Sequence, residues 1–346
     1  MPPQPLIQWR FLDGRAGHES QVLGLSEAIA AACTSVLVDV PVDESLRGWR
    51  GLVPGKFDFL RSTAAPHLLI GAGHATHLAM LRCQQLFGGR SVVLMKPSLP
   101  AGLFDLCLVP GHDRLWWPWS NVERTAGALN RMRPSEHRGS DRGLVLLGGP
   151  SRHFKWSNEQ VRREILKLVT SRTLQWTVAA SRRTPAELMD GWKDRPAGVE
   201  WLAADELSSA ELAELIGVAA RVVVTSDSIS MISEALTSGA PVELIELPAR
   251  RSSRVAEEVR LLVRNTGLAA ASLSERPEAE RCAAVVLQRL YGSAYWPMAR
   301  GSVSTSGHWA AGVCQVSGQS AGAIAGARVG FGRTRLPKVI LRDRDR

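Results

Sequence analysis

Three groups of residues in this chain have the types and spacing to do chemistry. The first lies in Val222–Leu247, VVVTSDSISMISEALTSGAPVELIEL. An apolar run that ends in Thr225-Ser226-Asp227-Ser228 and passes straight into helix-forming residues reads as a strand opening onto a helix N-terminus. Such a junction aims free backbone N–H groups and the positive end of the helix dipole at one point. Ser226, Ser228 and Ser230 add hydroxyls there, beside Asp227. Glu234, one turn on, offers a carboxylate to a pair of ribose hydroxyls. The ligand this layout suits is a nucleotide diphosphate carrying a sugar. A plainer reading makes Asp227 or Ser228 an N-cap and Glu234 an ordinary exposed helix residue.

The second group is basic and glycine-rich. In Ala180-Ser181-Arg182-Arg183-Thr184-Pro185, Arg182 and Arg183 can make bidentate contacts to a diphosphate. Thr184 followed by Pro185 also starts a helix well. Leu147-Gly148-Gly149-Pro150 lacks the GxxxxGK[ST] spacing of a phosphate loop, which disfavours a P-loop NTPase. Gly149 still suits close approach to phosphate or sugar, or else a tight turn.

The third group supplies a base. Asp13-Gly14-Arg15-Ala16-Gly17-His18 follows an apolar run and precedes a helix. An imidazole there can take a hydroxyl proton near neutrality, so His18 is the expected catalytic base, with Asp13 as second candidate. The GxGxxG dinucleotide fingerprint is absent. A further strand-to-helix turn, Ile70-Gly71-Ala72-Gly73-His74, places Gly71, Gly73 and His74, with Gly14 and Gly17, on an acceptor side. His67, His74 and His77 have no carboxylate or cysteine nearby, so no metal site is expected. His74 is expected to cap its helix and His77 to face a neighbouring one.

Strand-like and helix-like segments alternate along the 346 residues, which implies parallel sheets with helices on both faces. Strands are expected near Leu6–Leu12, Ser35–Val40, His67–Gly71, Ser91–Met95, Leu106–Val109, Gly143–Leu147, Leu174–Ala180, Arg221–Thr225 and Val242–Leu247. Helices fall between them. The polar run Arg131–Arg142 has the composition of a linker. The expected organisation is therefore two Rossmann-like, doubly wound α/β domains facing a cleft. Residues 1–138 form the acceptor side, residues 139–295 the donor side, and residues 296–346 a flexible basic tail. Ligands of such sheets bind at the carboxyl ends of the strands.

The net charge of +9 is concentrated in the tail, and no basic stripe interleaved with aromatics exists, so nucleic acid is not an expected partner. Five scattered cysteines without a CxxC pair argue for a reducing compartment. No signal-like N-terminus and no run of 18 apolar residues occur. The expected location is cytoplasmic, with peripheral contact on the inner face of the membrane aided by the basic tail.

The strings DGRAGHESQVLGL, GGPSRHFKW, SRRTP, TSDSISMISEA and SGAPV together resemble the elongated-mitochondria fission protein family of bacteria and plants. The resemblance runs from about Phe11 to Tyr291 and stops before the tail. Its bacterial members are regarded as glycosyltransferases. It implies a GT-B arrangement in which a nucleotide-diphosphate sugar is substrate, no cofactor is needed and no metal takes part. No DxD motif lies in a loop suited to the donor. The function expected is transfer of a sugar to an unidentified, lipid- or envelope-linked acceptor. The alternatives are a sugar-nucleotide epimerase or hydrolase on the same architecture, or a non-enzymatic adaptor of the kind the plant relatives imply.

Overall fold

The computed structural model describes residues 4–111, 113, 115, 117–135, 137–171, 174–190, 192, 196, 198–250, 253–266, 277–292 and 314–316. The first half runs β1 (Leu6–Leu12), α1 (Ala16–Ala32), β2 (Ser35–Pro41), β3 (Leu68–Ala72), α2 (His74–Phe87), β4 (Arg90–Leu94), β5 (Leu106–Pro110) and β6 (Val122–Thr125). The second runs β7 (Arg142–Leu147), α3 (Asn158–Ser171), β8 (Gln175–Ala180), α4 (Ala186–Asp190), β9 (Glu200–Leu202), α5 (Ser209–Val218) and β10 (Arg221–Thr225). It continues through α6 (Ile229–Thr237), β11 (Val242–Ile245), α7 (Arg254–Thr266), α8 (Glu278–Tyr291) and β12 (Cys314–Val316).

Two parallel sheets result. The first has the order β12-β2-β1-β3-β4-β5-β6 and the second β11-β10-β7-β8-β9. Every residue of β3 and β5 is buried, as a strand covered on both faces requires. On one face of the first sheet, Val22, Leu25 and Ile29 of α1 meet Cys282, Val286 and Leu287 of α8 in a single cluster. On the other face, Ala79, Met80 and Cys83 of α2 meet Leu46, Phe57 and, from a short 3-10 turn, Leu60. The second core gathers Val161 and Ile165 of α3, Ile216 of α5, Ile232 of α6 and Val259 of α7.

The expected strands all form, with ends shifted by one or two residues. The expected alternation missed β6 and β9, which are short and carry little apolar signal, whereas α4 follows the helix start read at Thr184-Pro185. β6 (VERT) and β9 (EWL) are also outer strands, where polar residues face water. Although α8 lies within the stretch assigned to the donor side, it packs on α1 of the first lobe. Arg281 of α8 reaches Glu123 of β6 at 2.7 Å. Of the expected tail only Cys314–Val316 is described, and it pairs in parallel with β2 rather than lying unpacked. The rest of residues 296–346 lies outside the described residues.

Strand order sets where ligands can bind. From β1 the chain steps to β2 on one side and then returns to β3 on the other. From β7 it steps out through β8 and β9 and returns to β10. The order therefore reverses between β1 and β3 in one sheet and between β7 and β10 in the other. Open α/β sheets bind ligands at the carboxyl ends of the strands flanking such a switch point. The loops after β1, β3, β7 and β10 are the ones that carry the glycine, histidine and serine motifs.

Candidate functional site

In the first lobe the turn after β1 builds an imidazole–carboxylate pair. Asp13 is buried, and its Oδ2 lies 2.8 Å from His18 Nδ1 in the first turn of α1. A carboxylate can only accept, so Nδ1 carries the shared proton and Nε2 is left to bind or take another. Asp13 Oδ1 also accepts from the Arg15 amide at 3.2 Å, and the Asp13 carbonyl accepts from Arg47 at 2.8 Å. With its side chain fully enclosed, Asp13 is placed to orient His18. It is not placed to act as the base itself, which revises its role as second candidate.

The turn after β3 closes around the same imidazole. Gly73 has φ +76°, and a Cβ there would fall 2.3 Å from His18 Cε1. Gly71 lies inside β3, where Met80 and Thr76 leave no room for a side chain; it is a packing residue. Gly14 has φ +77° and donates its amide to Glu19 at 2.9 Å. His74 is the exposed first residue of α2 and caps nothing, because Gly73 takes the cap position. His77 does not face a neighbouring helix. It is buried with Nδ1 at 2.9 Å from Ser98 Oγ and its ring edge-on to Phe104. Burial, with smaller contributions from His74 and His18, pushes its pKa down to about 4, so it is neutral. His67 instead accepts from the Ile7 amide through Nδ1. The three histidines do not converge, and among the described residues no group of three His, Cys, Asp or Glu could hold a metal ion.

The second lobe draws three turns together. Asp227, after β10, is enclosed; its Oδ2 accepts from the Gly149 amide at 3.0 Å and pairs with Arg183 at 2.9 Å. The turns after β7, β8 and β10 are thereby tied to one carboxylate, with β7 lying between the other two strands. Glycine is required after β7. A Cβ on Gly148 would fall 2.3 Å from the Asp227 carboxylate, and one on Gly149 would fall 1.9 Å from the Arg183 carbonyl oxygen. Ser181 Oγ donates to the Gly148 carbonyl at 3.0 Å, Thr184 Oγ1 lies 2.6 Å from the same oxygen, and Thr225 Oγ1 accepts from the Gly148 amide at 2.7 Å. Ser226 is buried and accepts from the Leu247 amide at 2.9 Å.

Six of the expected donor-site residues, Gly149, Ser181, Arg183, Ser226, Asp227 and Glu234, make side-chain or turn hydrogen bonds within the protein. Those left facing outward are Arg182, which is exposed, and Ser228 and Ser230, which are half-buried. Ser228 is the N-cap of the nine-residue α6, but its side chain makes no capping bond. The first amides of α6 accordingly have no side-chain cap.

The two halves meet across α1 and α6. A Cβ on Gly17 would lie 3.9 Å from Ser230 Oγ, and Ser20 Oγ donates to Glu234 Oε1 at 3.3 Å. Ser233 Oγ accepts from the Ala128 amide at 3.2 Å. Loss of solvation raises the Glu234 pKa, an effect the Ser20 hydroxyl partly offsets. The result is an oriented imidazole on one side, and on the other an open helix N-terminus with a half-buried carboxylate. Such a pair of surfaces can take a proton from a hydroxyl and stabilise an anion that forms nearby.

Ser20 and Arg47 were not singled out from the sequence, since a lone Ser or Arg carries no spacing signal. Met95 is a further residue of this kind. Among the described residues it is the non-glycine residue with positive φ, at 70°, and it sits just past β4 on the same sheet edge as the His18 turn. Strained non-glycine backbone concentrates at ligand sites.

The contact between Gly73 and His18 gives a sharp test. In Gly73→Ala, backbone strain should cost about 1–3 kcal/mol of stability. The larger effect should fall on His18, whose ring must leave its place beside Asp13. Nuclear magnetic resonance of the His18 ring checks the displacement, and calorimetric melting of the same variant checks the loss of stability.

A family model described as Mitochondrial fission ELM1 matches residues 16–290 of the chain. A search of curated proteins finds no match. Among solved structures, the chain is similar to the candidate UDP-N-acetylglucosamine 2-epimerase of Listeria monocytogenes, with 11% identity and a TM-score of 0.50 over 86% of this chain and 92% of that one. It is also similar to the UDP-GlcNAc 2-epimerase of Methanocaldococcus jannaschii, with 10% identity and a TM-score of 0.50 over 81% and 99% of the two chains. MurG of Acinetobacter baumannii is a third, at 12% identity and a TM-score of 0.40 over 86% and 96%. At such identities the likeness to the first two is one of fold: two Rossmann-like lobes in the GT-B manner.

Proposed function

The chain belongs to the mitochondrial fission ELM1 family, and from that premise we propose that it transfers a sugar from a nucleotide-diphosphate sugar to a hydroxyl acceptor. His18, held by Asp13, takes the acceptor proton. Glu234 accepts from the ribose hydroxyls once Ser20 gives way. The amides at the start of α6, with Ser228, Ser230 and Arg182, stabilise the departing diphosphate. Arg183 acts beside them as one member of a neutralised pair. A helix terminus alone gives about 0.3–1 kcal/mol at an exposed site and up to about 2 when partly buried. Several donors must therefore converge, and no step is assigned to a metal or cofactor.

One observation carries this reading. The first turns of α1, which carries His18, and of α6, whose N-terminus has no side-chain cap, lie against each other. Two proteins of the same fold are described as UDP-GlcNAc 2-epimerases, which supports a nucleotide sugar as the ligand class. The acceptor is assigned to the lipid- or envelope-linked saccharides, met by peripheral contact with the inner face of the membrane. No helix among the described residues is long and apolar enough to cross one.

The first test is calorimetry with the diphosphates of uridine, guanosine, cytidine and adenosine. Glu234→Ala should weaken the nucleotide that binds by roughly 10- to 100-fold, the range for losing a hydrogen bond to a charged group. Equal affinity in wild type and variant would refute the assignment of Glu234. The pH dependence has a fixed sign. Because burial raises the Glu234 pKa, the carboxylate is neutralised at a higher pH than an ordinary glutamate. Ribose binding should therefore fade on acidification earlier than for a solvent-exposed carboxylate, and Glu234→Gln should lose that dependence. Nuclear magnetic resonance of the donor without acceptor separates transfer from epimerisation or hydrolysis, since only the latter two consume it. An adaptor with a vestigial cleft would show no nucleotide-dependent change in Tm.

A further inference from the structure

Exposed apolar side chains are distributed unevenly over the described surface. Among the large ones, only Leu166 lies in the second lobe. The first lobe carries two concentrations, Trp49, Leu52, Val53 and Phe59 in one segment and Trp117 with Trp119 in another. Trp49 is 70% exposed, Trp117 67% and Phe59 53%, which is more than scattered surface residues of a monomer need.

The first segment is folded, so the exposure is not a failure of packing. Its two 3-10 turns, Gly48–Leu52 and Asp58–Leu60, turn Phe57 and Leu60 inward against α2 and leave Trp49, Leu52, Val53 and Phe59 outside. Ala101 and Phe104, which precede the tryptophan segment, belong to the same cluster. A Cβ on Gly102 would fall 2.8 Å from the Trp119 ring. The 47–61 segment and, through Gly102, Trp119 therefore stand on the α2 side of the first sheet.

Charge supplies the identity of the partner. Between residues 47 and 61 the cations Arg47, Arg50, Lys56 and Arg61 face one carboxylate, Asp58. Arg61 pairs with Asp58 and Arg50 with Glu44 just upstream, exposed pairs that headgroup phosphates readily replace, whereas Arg47 is half-buried and also pairs with Glu44. Over this one short segment, which is no extended stripe, Trp49 and Phe59 stand among Arg50, Lys56 and Arg61. With Leu52 and Val53 beside them, the group suits the interfacial layer of an anionic bilayer. The segment is also joined to the candidate site, since Arg47 donates to the carbonyl of Asp13.

We propose that the surface formed by residues 47–61, with Trp117 and Trp119, seats this protein on an anionic lipid bilayer. The aromatic rings lie at headgroup level and the arginines face the phosphates. Docked this way, the lobe that carries His18 is the one at the lipid surface, so an acceptor anchored in the bilayer reaches the base without leaving it. That last step rests on the sugar-transfer reading; the docking does not.

The experiment is co-sedimentation of the full-length protein with vesicles of phosphatidylcholine alone and of phosphatidylcholine mixed with phosphatidylglycerol. Wild type should sediment with the anionic vesicles and be released as salt screens the phosphates. Trp49→Ser/Phe59→Ser should partition at least about tenfold more weakly, the aromatic area being lost from the interface, while Tm and nucleoside-diphosphate affinity stay at wild-type values. Equal sedimentation of variant and wild type would overturn the proposal and assign membrane contact to another part of the chain. So would wild type that ignores both vesicles, even if the variant altered self-association or capture of a protein. Vesicle binding without any nucleotide binding would leave the docking standing and remove sugar transfer; nucleotide binding without vesicle binding would do the reverse.

Discussion

Replacing His18 with alanine is expected to lower kcat by about 10²- to 10⁴-fold, the usual contribution of a positioned general base, and to leave nucleotide affinity unchanged. The separation follows from geometry. His18 stands in the first turn of α1, bound to Asp13 and enclosed by Gly73, whereas the groups assigned to the nucleotide stand on α6 and after β8. Asp13→Asn should fall between wild type and His18→Ala. An amide can donate as well as accept, so it no longer fixes which imidazole nitrogen carries the proton. Single-turnover kinetics together with calorimetry checks both variants. If His18→Ala turned over normally, the base would have to be sought elsewhere on the edge of the first sheet.

The second large effect is expected on stability. Asp227→Ala removes the carboxylate that ties the turns after β7, β8 and β10 together. The buried Gly149 amide then loses its acceptor, at about 1–3 kcal/mol. Arg183 is 43% exposed, so the lost ion pair adds little once solvent screening is counted. A total of about 2 kcal/mol should lower Tm by roughly 4–8 °C for a unit the size of one lobe. Asp227→Asn keeps an acceptor oxygen for Gly149 and should stay close to wild type in both Tm and nucleotide affinity. If the Asn variant lost affinity at unchanged Tm, Asp227 would be a direct ligand contact and not a clamp. Calorimetric melting with and without nucleoside diphosphate distinguishes the two.

Much of the site was legible as local signals. The strand-to-helix junctions at Asp13–His18, Gly71–His74 and Thr225–Ser230, and the glycine pair at the end of β7, all occur where the residue types place them. Their division of labour was not legible. Ser181, Ser226 and Asp227 have the chemistry of ligand groups, yet each satisfies a neighbouring turn. A buried amide or carbonyl must find a partner, and the partner is chosen by whichever polar side chain the fold brings beside it. Asp13 was similarly ambiguous in sequence, and only its enclosure beside His18 shows that it is the partner of that ring. The exposed aromatics at Trp49, Phe59 and Trp117 gave no signal at all, because an apolar residue in a loop looks the same in sequence whether it turns inward like Phe57 or outward like Phe59.

What the sequence determined by itself was the set of junctions: apolar strand, glycine or serine turn, amphipathic helix, repeated through two α/β lobes. These are short-range consequences of backbone freedom, burial and capping, and they can be read within about ten residues. Only the tertiary structure decided that β1 neighbours β3 and β7 neighbours β10, and hence which turns share a switch point. It also decided that α1 and α6 face each other, through contacts as distant in sequence as Ser20 and Glu234. Strand order and lobe contact depend on how whole buried surfaces fit together, and no local window contains that information.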